Sequence, residues 1–338
     1  MDLVHADISI QNYQNLLKPS APIYTKGQHE FTSRYWSVPR KGDIGMSSWR
    51  KKFVNEVLTY IDQLGAPDII HAHTYLGGWV AMQIKRLLDI PYLITEHSTQ
   101  VLKRSLSKTH NKIARESYTH ADVVVAVGQA LANVIHTEHG VVAQVIPNFI
   151  NVNLFNIPKD KAGPVEGLQL IAIGDLIPRK DFDKLIKACE SLSLKYHLSI
   201  VGSGPEKARL EEQAKSANVS VTFLGQQSQE EISELLQKSH LLVHPSKSET
   251  FGIILIEAMA TGIPVISFSN GGAEDIITRQ SGILLEDNSV VTLTTAIETV
   301  GNNYAKYRPH DIRQIVIDRF SASAIAPQLI ELYRSHIG

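Results

Sequence analysis

The stretch that decides the fold is PSKSETFGIILIEAMATGIPVI, residues 245–266. It reads as a polar loop, an apolar helix from Phe251 to Ala260, and a strand that begins at Pro264. Gly262 suits the left-handed position that follows a helix end. This order of elements predicts one crossover of a parallel sheet, with the polar loop at the carboxyl edge of the strands.

Two acids frame the start of the predicted helix. Glu249 lies in the loop before it, and Glu257 lies about two turns inside it. The backbone N–H groups of residues 250–253 have no acceptors within the helix, and the helix dipole favours anions there, so a diphosphate is the expected ligand. Two incidental acids on a structural crossover are the alternative. An acid inside the apolar run IILIEAMA, however, is rarely present without a partner.

Strands alternate with helices on both sides of this stretch, which predicts parallel sheets covered by helices. A polar, irregular segment from Pro147 to Gly167 interrupts the alternation and predicts a linker. We therefore expect an α/β protein of two doubly wound domains, 1–150 and 151–320, with a cleft between them at the carboxyl ends of their strands. A last helix within 321–338 is expected to pack back on the first domain.

Composition limits the classes of protein that are possible. The chain has 338 residues, 43% of them hydrophobic and 20% charged, which is typical of a globular protein large enough for two domains. The net charge of −1 gives no reason to expect nucleic acid as a partner. The single cysteine, Cys189, fits a reducing compartment, and no apolar run approaches the ~20 residues of a membrane span. We expect a cytoplasmic protein.

Several shorter patterns admit two interpretations each. Arg179 and Lys180 follow a predicted strand and could neutralise a diphosphate, although a solvated cation pair is the commoner explanation. Gly202 and Gly204 resemble the start of a dinucleotide fingerprint, but Lys207 occupies the third glycine position, so we reject a nicotinamide site. The two glycines still allow a ligand to approach the backbone.

Metal and surface signals are weaker. His71 and His73 form an HxH pattern after a strand, and His97 ends the next strand, yet no further ligands follow in order, so we expect no metal. The DxD pattern at Asp181 stands at a helix start, where acids are common for structural reasons. A basic amphipathic segment, 101–118, could contact an anionic acceptor or a membrane surface, and a solvated helix face explains it equally well.

Taken together, these motifs resemble the retaining GT-B glycosyltransferases of family 4, the glycosyl transferases group 1. The resemblance covers roughly residues 68 to 338. Its most specific parts are HPSKSETFGIILIEAMATGIPVI, VGSGPEKARL from Val201, NGGAEDII from Asn270 and SGILLED from Ser281, with PYLITEHS and VIPNFINVNLF in the first half.

The resemblance implies a metal-independent transfer of a sugar from a nucleotide diphosphate donor, most often a UDP-sugar, to an acceptor hydroxyl in polysaccharide or glycolipid assembly. It implies no cofactor beyond the donor. Catalytic roles fall on Glu249, His97 and Lys180. Donor binding falls on Arg179, Lys180, Gly202, Thr250, Phe251, Gly252, Ile253 and Glu257.

Members of this family begin with an apolar strand and a glycine-rich loop, and neither is evident before residue 68. We therefore expect an N-terminal sheet that lacks its first strand, with the sheet edge exposed or covered by a partner. This feature motivates the alternative of a catalytically impaired relative that binds nucleotide sugars as a partner subunit. A GT-B epimerase is a third possibility. The basic segment 101–118 makes peripheral contact with the inner face of a membrane a further expectation.

Overall fold

A computed structural model describes residues 44–160, 163–164 and 166–337, and two short strands, β1 (Ile23–Thr25) and β2 (Gln28–Glu30). Side chains are described from residue 53 onward within these ranges. Strands β1 and β2 pair antiparallel. The predicted absence of a first strand falls largely on residues outside the described ranges.

The first half of the chain builds a four-stranded sheet in the order β3-β4-β5-β6. Its strands alternate with helices, as predicted. The elements are α1 (Ile44–Leu64), β3 (Ile70–His73), α2 (Thr74–Leu88), β4 (Tyr92–Glu96), α3 (Thr99–Leu102), α4 (Lys108–Thr119), β5 (Val123–Ala126), α5 (Gln129–His139) and β6 (Gln144–Val145). Strands β5 and β6 pair in parallel.

The second half builds a six-stranded sheet from the remaining elements. They are β7 (Leu168–Ile173), α6 (Phe182–Glu190), β8 (Tyr196–Val201), α7 (Lys207–Ser216), β9 (Val221–Gly225), α8 (Gln229–Lys238), β10 (Leu241–His244), α9 (Ile253–Ala260), β11 (Val265–Phe268), β12 (Gly282–Leu285), α10 (Val290–Asn302), α11 (Pro309–Phe320) and α12 (Ala322–Arg334). The strand order is β12-β11-β10-β7-β8-β9, and every adjacent pair is parallel.

This strand order reverses between β7 and β10. From β7 the chain proceeds outward through β8 and β9, and it then returns to the other side of β7 to lay down β10, β11 and β12. Loops that leave neighbouring strands at such a reversal diverge, and the crevice between them is where open α/β sheets bind ligands. The two loops concerned are 174–181 and 245–252.

Apolar side chains on both faces of this sheet form its core. All four residues of β10 and of β11 are buried, and the helices contribute Leu185, Ile186, Ile297 and Val300. Continuous burial explains why these strands read as unbroken apolar runs. At the start of α8, Ser228 and Glu231 form a capping box, in which the side chain of each bonds to the backbone of the other.

One detail differs from the sequence-based expectation. The basic segment 101–118 is two helices, because Arg104 adopts a left-handed conformation and Ser107 caps the start of α4. Within the described residues the chain packs as two compact units, one of residues up to 94 with 106–123 and 336–337, the other of 95–105 and 124–335. The boundary at residue 150 stays a prediction, as does the placement of the last helix.

Arg313 of α11 links the linker to the second sheet domain. Its guanidinium donates to the carbonyl of Val152 at 2.7 Å, to that of Ala260 at 2.5 Å and to that of Phe155. Ala260 is the last residue of α9, so a cation closes the negative end of that helix. Nearby, Ile150 donates its N–H to the carbonyl of Phe320 at 3.0 Å.

Candidate functional site

The loop after β7 is shaped to present two cations. Pro178–Lys180 forms one 3-10 turn, and Asp181 follows in a left-handed conformation with φ 56°. The buried carboxylate of Asp181 does not cap α6 but pairs with Lys184 at 3.0 Å and with Lys247 at 2.8 Å. Because Lys247 belongs to the neighbouring loop, Asp181 ties the two loops of the crevice together.

Glu249 lies at the centre of the crevice. One of its oxygens, Oε1, accepts hydrogen bonds from four side chains. The donors are Lys180 Nζ at 2.5 Å, Ser246 Oγ at 2.7 Å, Arg179 Nη1 at 3.2 Å and His244 Nε2 at 3.3 Å. Within the described part of the chain, Oε2 accepts no hydrogen bond, so it is the oxygen that remains for a ligand.

The cluster fixes the protonation of its members. Burial alone would raise the pKa of Glu249, but the hydrogen bond from His244 and the charge of Lys180 lower it well below its usual range. Burial also lowers the pKa of His244. A neutral imidazole whose Nε2 faces a carboxylate must carry its proton on that nitrogen. The site is therefore an ionised carboxylate, two cations and a neutral donor.

The start of α9 lies beside this cluster. Gly252, the residue before the helix, has φ 101°, a left-handed value that favours glycine. Among the residues that the structure describes, no acceptor receives a hydrogen bond from the backbone N–H groups of Thr250, Phe251, Gly252 or Ile253. Unpaired amides at a helix start are an anion-binding feature, and here they adjoin Arg179 and Lys180.

Glu257 faces a different environment on the same helix. Its side chain is buried, and it makes no hydrogen bond or ion pair with another described residue. Burial raises the pKa of Glu257 from 4.5 to about 7. A buried carboxyl group without a partner is costly, and hydroxyl groups of a ligand are the partners that such a group can accept.

A second loop, 269–275, supports the Glu249 loop from below. The side chain of Asn270 donates to Ser246 O at 3.2 Å and accepts from the N–H groups of Gly272 and Ala273 at 3.2 and 3.1 Å. Its carbonyl accepts from Glu249 N at 2.9 Å. A Cβ at Gly272 would lie 2.3 Å from Phe251 O, so only glycine permits this contact.

His97 is exposed on the loop after β4. The fully buried carboxylate of Glu96 accepts the N–H of His97 at 2.9 Å and that of Ser98 at 2.7 Å, which fixes the turn. Leu102, five residues further on, lies beside Gly271 of the supporting loop, with a methyl group 3.0 Å from the position of a Gly271 Cβ. The loop that carries His97 thus leads directly to the elements that hold Glu249.

The glycines after β8 pack loop against loop. A Cβ at Gly202 would lie 2.0 Å from Gly174 O, and one at Gly204 would lie 2.5 Å from Leu176 O. Absence of side chains therefore lets the backbone after β8 approach the loop that carries the two cations. Whether a nucleotide also touches Gly202 stays a prediction.

The HxH and DxD patterns make contacts within the protein that do not require a metal ion. The rings of His71 and His73 stack with centroids 4.8 Å apart, and the described residues contain no group of three or more side chains suited to a metal ion. Asp183 of the DxD pattern lies 4.0 Å from Arg209. In the same part of the chain, no helix combines the length and apolarity needed to cross a bilayer.

The structure brings Arg179, Lys180 and Glu249 into contact and places Glu257 in α9, the helix that follows the Glu249 loop. Sequence reasoning missed His244, Ser246, Asn270 and Glu96. Ser246 and His244 stand within or beside the quoted stretch, but nothing in their spacing reveals that they donate to Glu249. Asn270 was visible only as the first residue of the NGG motif.

Comparison with known proteins now defines the class. The family model for glycosyl transferases group 1 matches residues 155–315, and that for glycosyltransferase family 4 matches residues 21–154. The chain is 26% identical over 298 residues to glycogen synthase of Mycobacterium tuberculosis, covering 80% of this chain and 70% of that protein. Alignments with eight curated relatives span 63 to 81% of their lengths.

Solved structures give the fold. Sucrose-phosphate synthase from Thermosynechococcus elongatus superposes with a TM-score of 0.81 at 26% identity, covering 94% of this chain and 86% of that one. Anabaena HepE in complex with UDP and glucose gives 0.75 at 23% identity, covering 91% and 86%. The fold is therefore GT-B, the glycosyltransferase architecture of two parallel-sheet domains. Within that class, the chain belongs to glycosyltransferase family 4.

Proposed function

We propose that this glycosyltransferase moves a sugar from a nucleotide diphosphate sugar, with UDP as the nucleotide, to an acceptor hydroxyl in polysaccharide or glycolipid assembly. The observation that carries the proposal is the convergence of Arg179, Lys180 and the unpaired amides of residues 250–253 on one crevice. That set can hold a diphosphate and stabilise the charge that develops on it as the bond to the sugar breaks. The complex of HepE with UDP and glucose supports the choice of nucleotide.

In this proposal each residue has a defined task. Lys180 and Arg179 stabilise the negative charge that develops on the leaving diphosphate. The free oxygen of Glu249 accepts hydrogen bonds from the sugar. Glu257 accepts from the ribose hydroxyls, and Gly202 lines the nucleotide. His97 faces the reacting sugar. The bond from the anomeric carbon to the diphosphate oxygen breaks, the acceptor oxygen bonds to that carbon with retention of configuration, and the hydroxyl proton passes to the departing diphosphate. No metal or other cofactor takes part.

The test is calorimetric titration of UDP into the full chain and two variants. We expect wild-type protein to bind UDP, and Lys180→Met to weaken binding by about tenfold or more, because a charge-assisted contact is lost. Lys238→Met is the matched control, since Lys238 lies exposed on α8 and, among the described residues, forms an ion pair with Glu234 alone, at 3.9 Å. Absence of UDP binding by the wild-type protein would refute the proposal.

Two further experiments test the finer points. Proton NMR of the product formed from a UDP-sugar reports the anomeric configuration, and retention is expected. Turnover in the presence of excess EDTA is expected to equal turnover without it. The complete set of cations and acids at the crevice does not favour the alternative of an impaired partner subunit, and any measurable turnover would dismiss that alternative.

The same proposal includes peripheral contact with an anionic membrane. Lys108, Lys112 and Arg115 lie exposed on α4 at spacings of four and three residues, which places them on one helix face. Arg104 is less available, because it pairs with Glu138 at 3.2 Å. Co-sedimentation with phosphatidylglycerol vesicles, but not phosphatidylcholine vesicles, is expected, and Lys108→Glu combined with Arg115→Glu should abolish it.

A further inference from the structure

The four donors that surround Glu249 all meet the same carboxylate oxygen. Lys180, Arg179, Ser246 and His244 lie 2.5 to 3.3 Å from Oε1. Glu249 is therefore anchored through one oxygen and cannot turn without losing several hydrogen bonds. Its position is fixed by side chains of the protein itself.

The charges of this cluster do not cancel. Lys180 and Arg179 contribute two positive charges, Glu249 contributes one negative charge, and burial keeps His244 neutral. One positive charge is left to attract a phosphate. The carboxylate thus competes with any bound phosphate for the two cations on which that phosphate depends.

Two ligands of the proposed reaction experience this competition differently. A nucleotide sugar carries a diphosphate esterified at both ends, and its sugar can bond to the remaining oxygen of Glu249. A free nucleoside diphosphate lacks the sugar and has one more ionisable oxygen, which in the proposed reaction takes the place of the bond to the sugar that Glu249 contacts. The carboxylate stabilises the first ligand and repels the second.

We infer that Glu249 makes the site select the intact donor over the nucleoside diphosphate product. This inference rests on the proposed function. Anchoring of Glu249 through Oε1 is essential to it, because a freely rotating carboxylate would swing away from the extra charge. The same repulsion favours departure of the product after each transfer, so Glu249 limits product inhibition.

The test measures UDP and UDP-glucose binding by calorimetry in wild-type protein and in Glu249→Gln. The glutamine keeps the shape and removes the charge, so UDP should bind about three- to tenfold more tightly than to wild type. UDP-glucose should gain less or lose affinity, so the ratio of the two dissociation constants shifts toward UDP. UDP should also become a stronger competitive inhibitor of turnover.

Two controls separate this role from a structural one. Glu211→Gln removes an exposed carboxylate on α7, 3.7 Å from Lys207, and should leave UDP affinity unchanged. Ser246→Ala removes a donor to Glu249 but leaves its charge, and it should not tighten UDP binding. If Glu249→Gln does not fold, judged by circular dichroism, Glu249→Ala replaces it with the same expectation for UDP.

The outcomes are distinguishable. Equal or weaker UDP binding by a folded Glu249 variant, with wild-type protein binding UDP, overturns the inference and leaves the proposed function in place. Absence of UDP binding by wild-type protein overturns both. Tighter UDP binding by Glu249→Gln together with unchanged binding by Glu211→Gln supports the inference.

Discussion

The two acids at either end of one stretch, Glu249 and Glu257, have opposite surroundings. Glu249 is held by four donors and is ionised, whereas the carboxyl group of Glu257 is buried, makes no hydrogen bond with another described residue, and has its pKa raised to about 7. They lie eight positions apart in the chain. The difference shows that the pattern of two acids is not one function repeated. One acid belongs to a charged cluster, and the other is a buried carboxyl group that can accept hydrogen bonds from a ligand.

The largest expected effect concerns the charged cluster around Glu249. Lys180→Met removes the donor nearest Glu249 Oε1 and a cation from the crevice, so kcat/KM should fall by about 10² to 10³. Release of UDP in a coupled assay measures it, and Lys238→Met should retain wild-type turnover. A loss smaller than fivefold would show that the contrast between the two ends has no catalytic meaning.

The next effect concerns Glu257 and is measured as the pH dependence of the free energy of unfolding. The pKa of Glu257 is raised on folding from 4.5 to about 7, so the folded state binds its proton more tightly than the unfolded state. Stability is therefore lost as pH rises from about 4.5 to about 7. Relative to Glu257→Gln, wild-type protein should lose about 3 kcal/mol of unfolding free energy between pH 4.5 and pH 8.

Urea denaturation of both proteins across that pH range measures this difference. The control is Glu298→Gln, which changes a partly exposed acid that accepts a hydrogen bond from Ser193. The pKa of Glu298 is lowered, so this variant should not reproduce the trend. Parallel curves for wild type and Glu257→Gln would mean that Glu257 has a partner after all, and the comparison between the two acids would fail.

A smaller effect is expected from a change in the loop that supports Glu249. Gly272→Ala puts a methyl group 2.3 Å from the backbone oxygen of Phe251, so the loop 249–251 must shift, at a cost of about 1 to 3 kcal/mol. UDP affinity should fall with stability. Gly77→Ala on α2 is the matched control, because its nearest neighbour would be 3.6 Å away, and it should be neutral or stabilising in thermal denaturation.

The smallest effect is expected from Ser246→Ala. Three donors to Glu249 Oε1 remain, so the loss of the 2.7 Å hydrogen bond should cost about 1 kcal/mol of stability at pH 7. Ser216→Ala, which removes only an exposed 3.4 Å hydrogen bond, should cost less in the same chemical denaturation. An effect above about 3 kcal/mol would contradict the redundancy of the donors.

Much of this architecture follows from local pattern. The alternation of strands with helices predicted the parallel sheets, and the stretch 245–266 predicted a polar loop, α9 and β11 in that order. The motif also predicted that Arg179, Lys180 and Glu249 meet. These successes share a cause, because each depends on residues that are close in sequence or on the rule that parallel strands end at one edge.

The unpredicted features depend on distant pairs. Asn270 bonds to Ser246 across 24 residues, and Asp181 holds Lys247 across 66 positions of the chain. His244 donates to Glu249 only because the loop after β10 folds back over the end of that strand. Side-chain directions in irregular loops are set by such contacts rather than by spacing, so no periodicity could reveal them.

The hydrogen bonds from Arg313 to the chain before the second sheet have a practical consequence for building hybrid proteins. Two of its three acceptor carbonyls, those of Val152 and Phe155, precede β7. Ile150, two residues before Val152, donates its N–H to the carbonyl of Phe320, the last residue of the same helix as Arg313. A segment transplanted from residue 155 onward, where the match to the glycosyl transferases group 1 model begins, would not include Val152. Hybrids between relatives should therefore be spliced ahead of Ile150, so that the arginine travels together with every carbonyl that it holds.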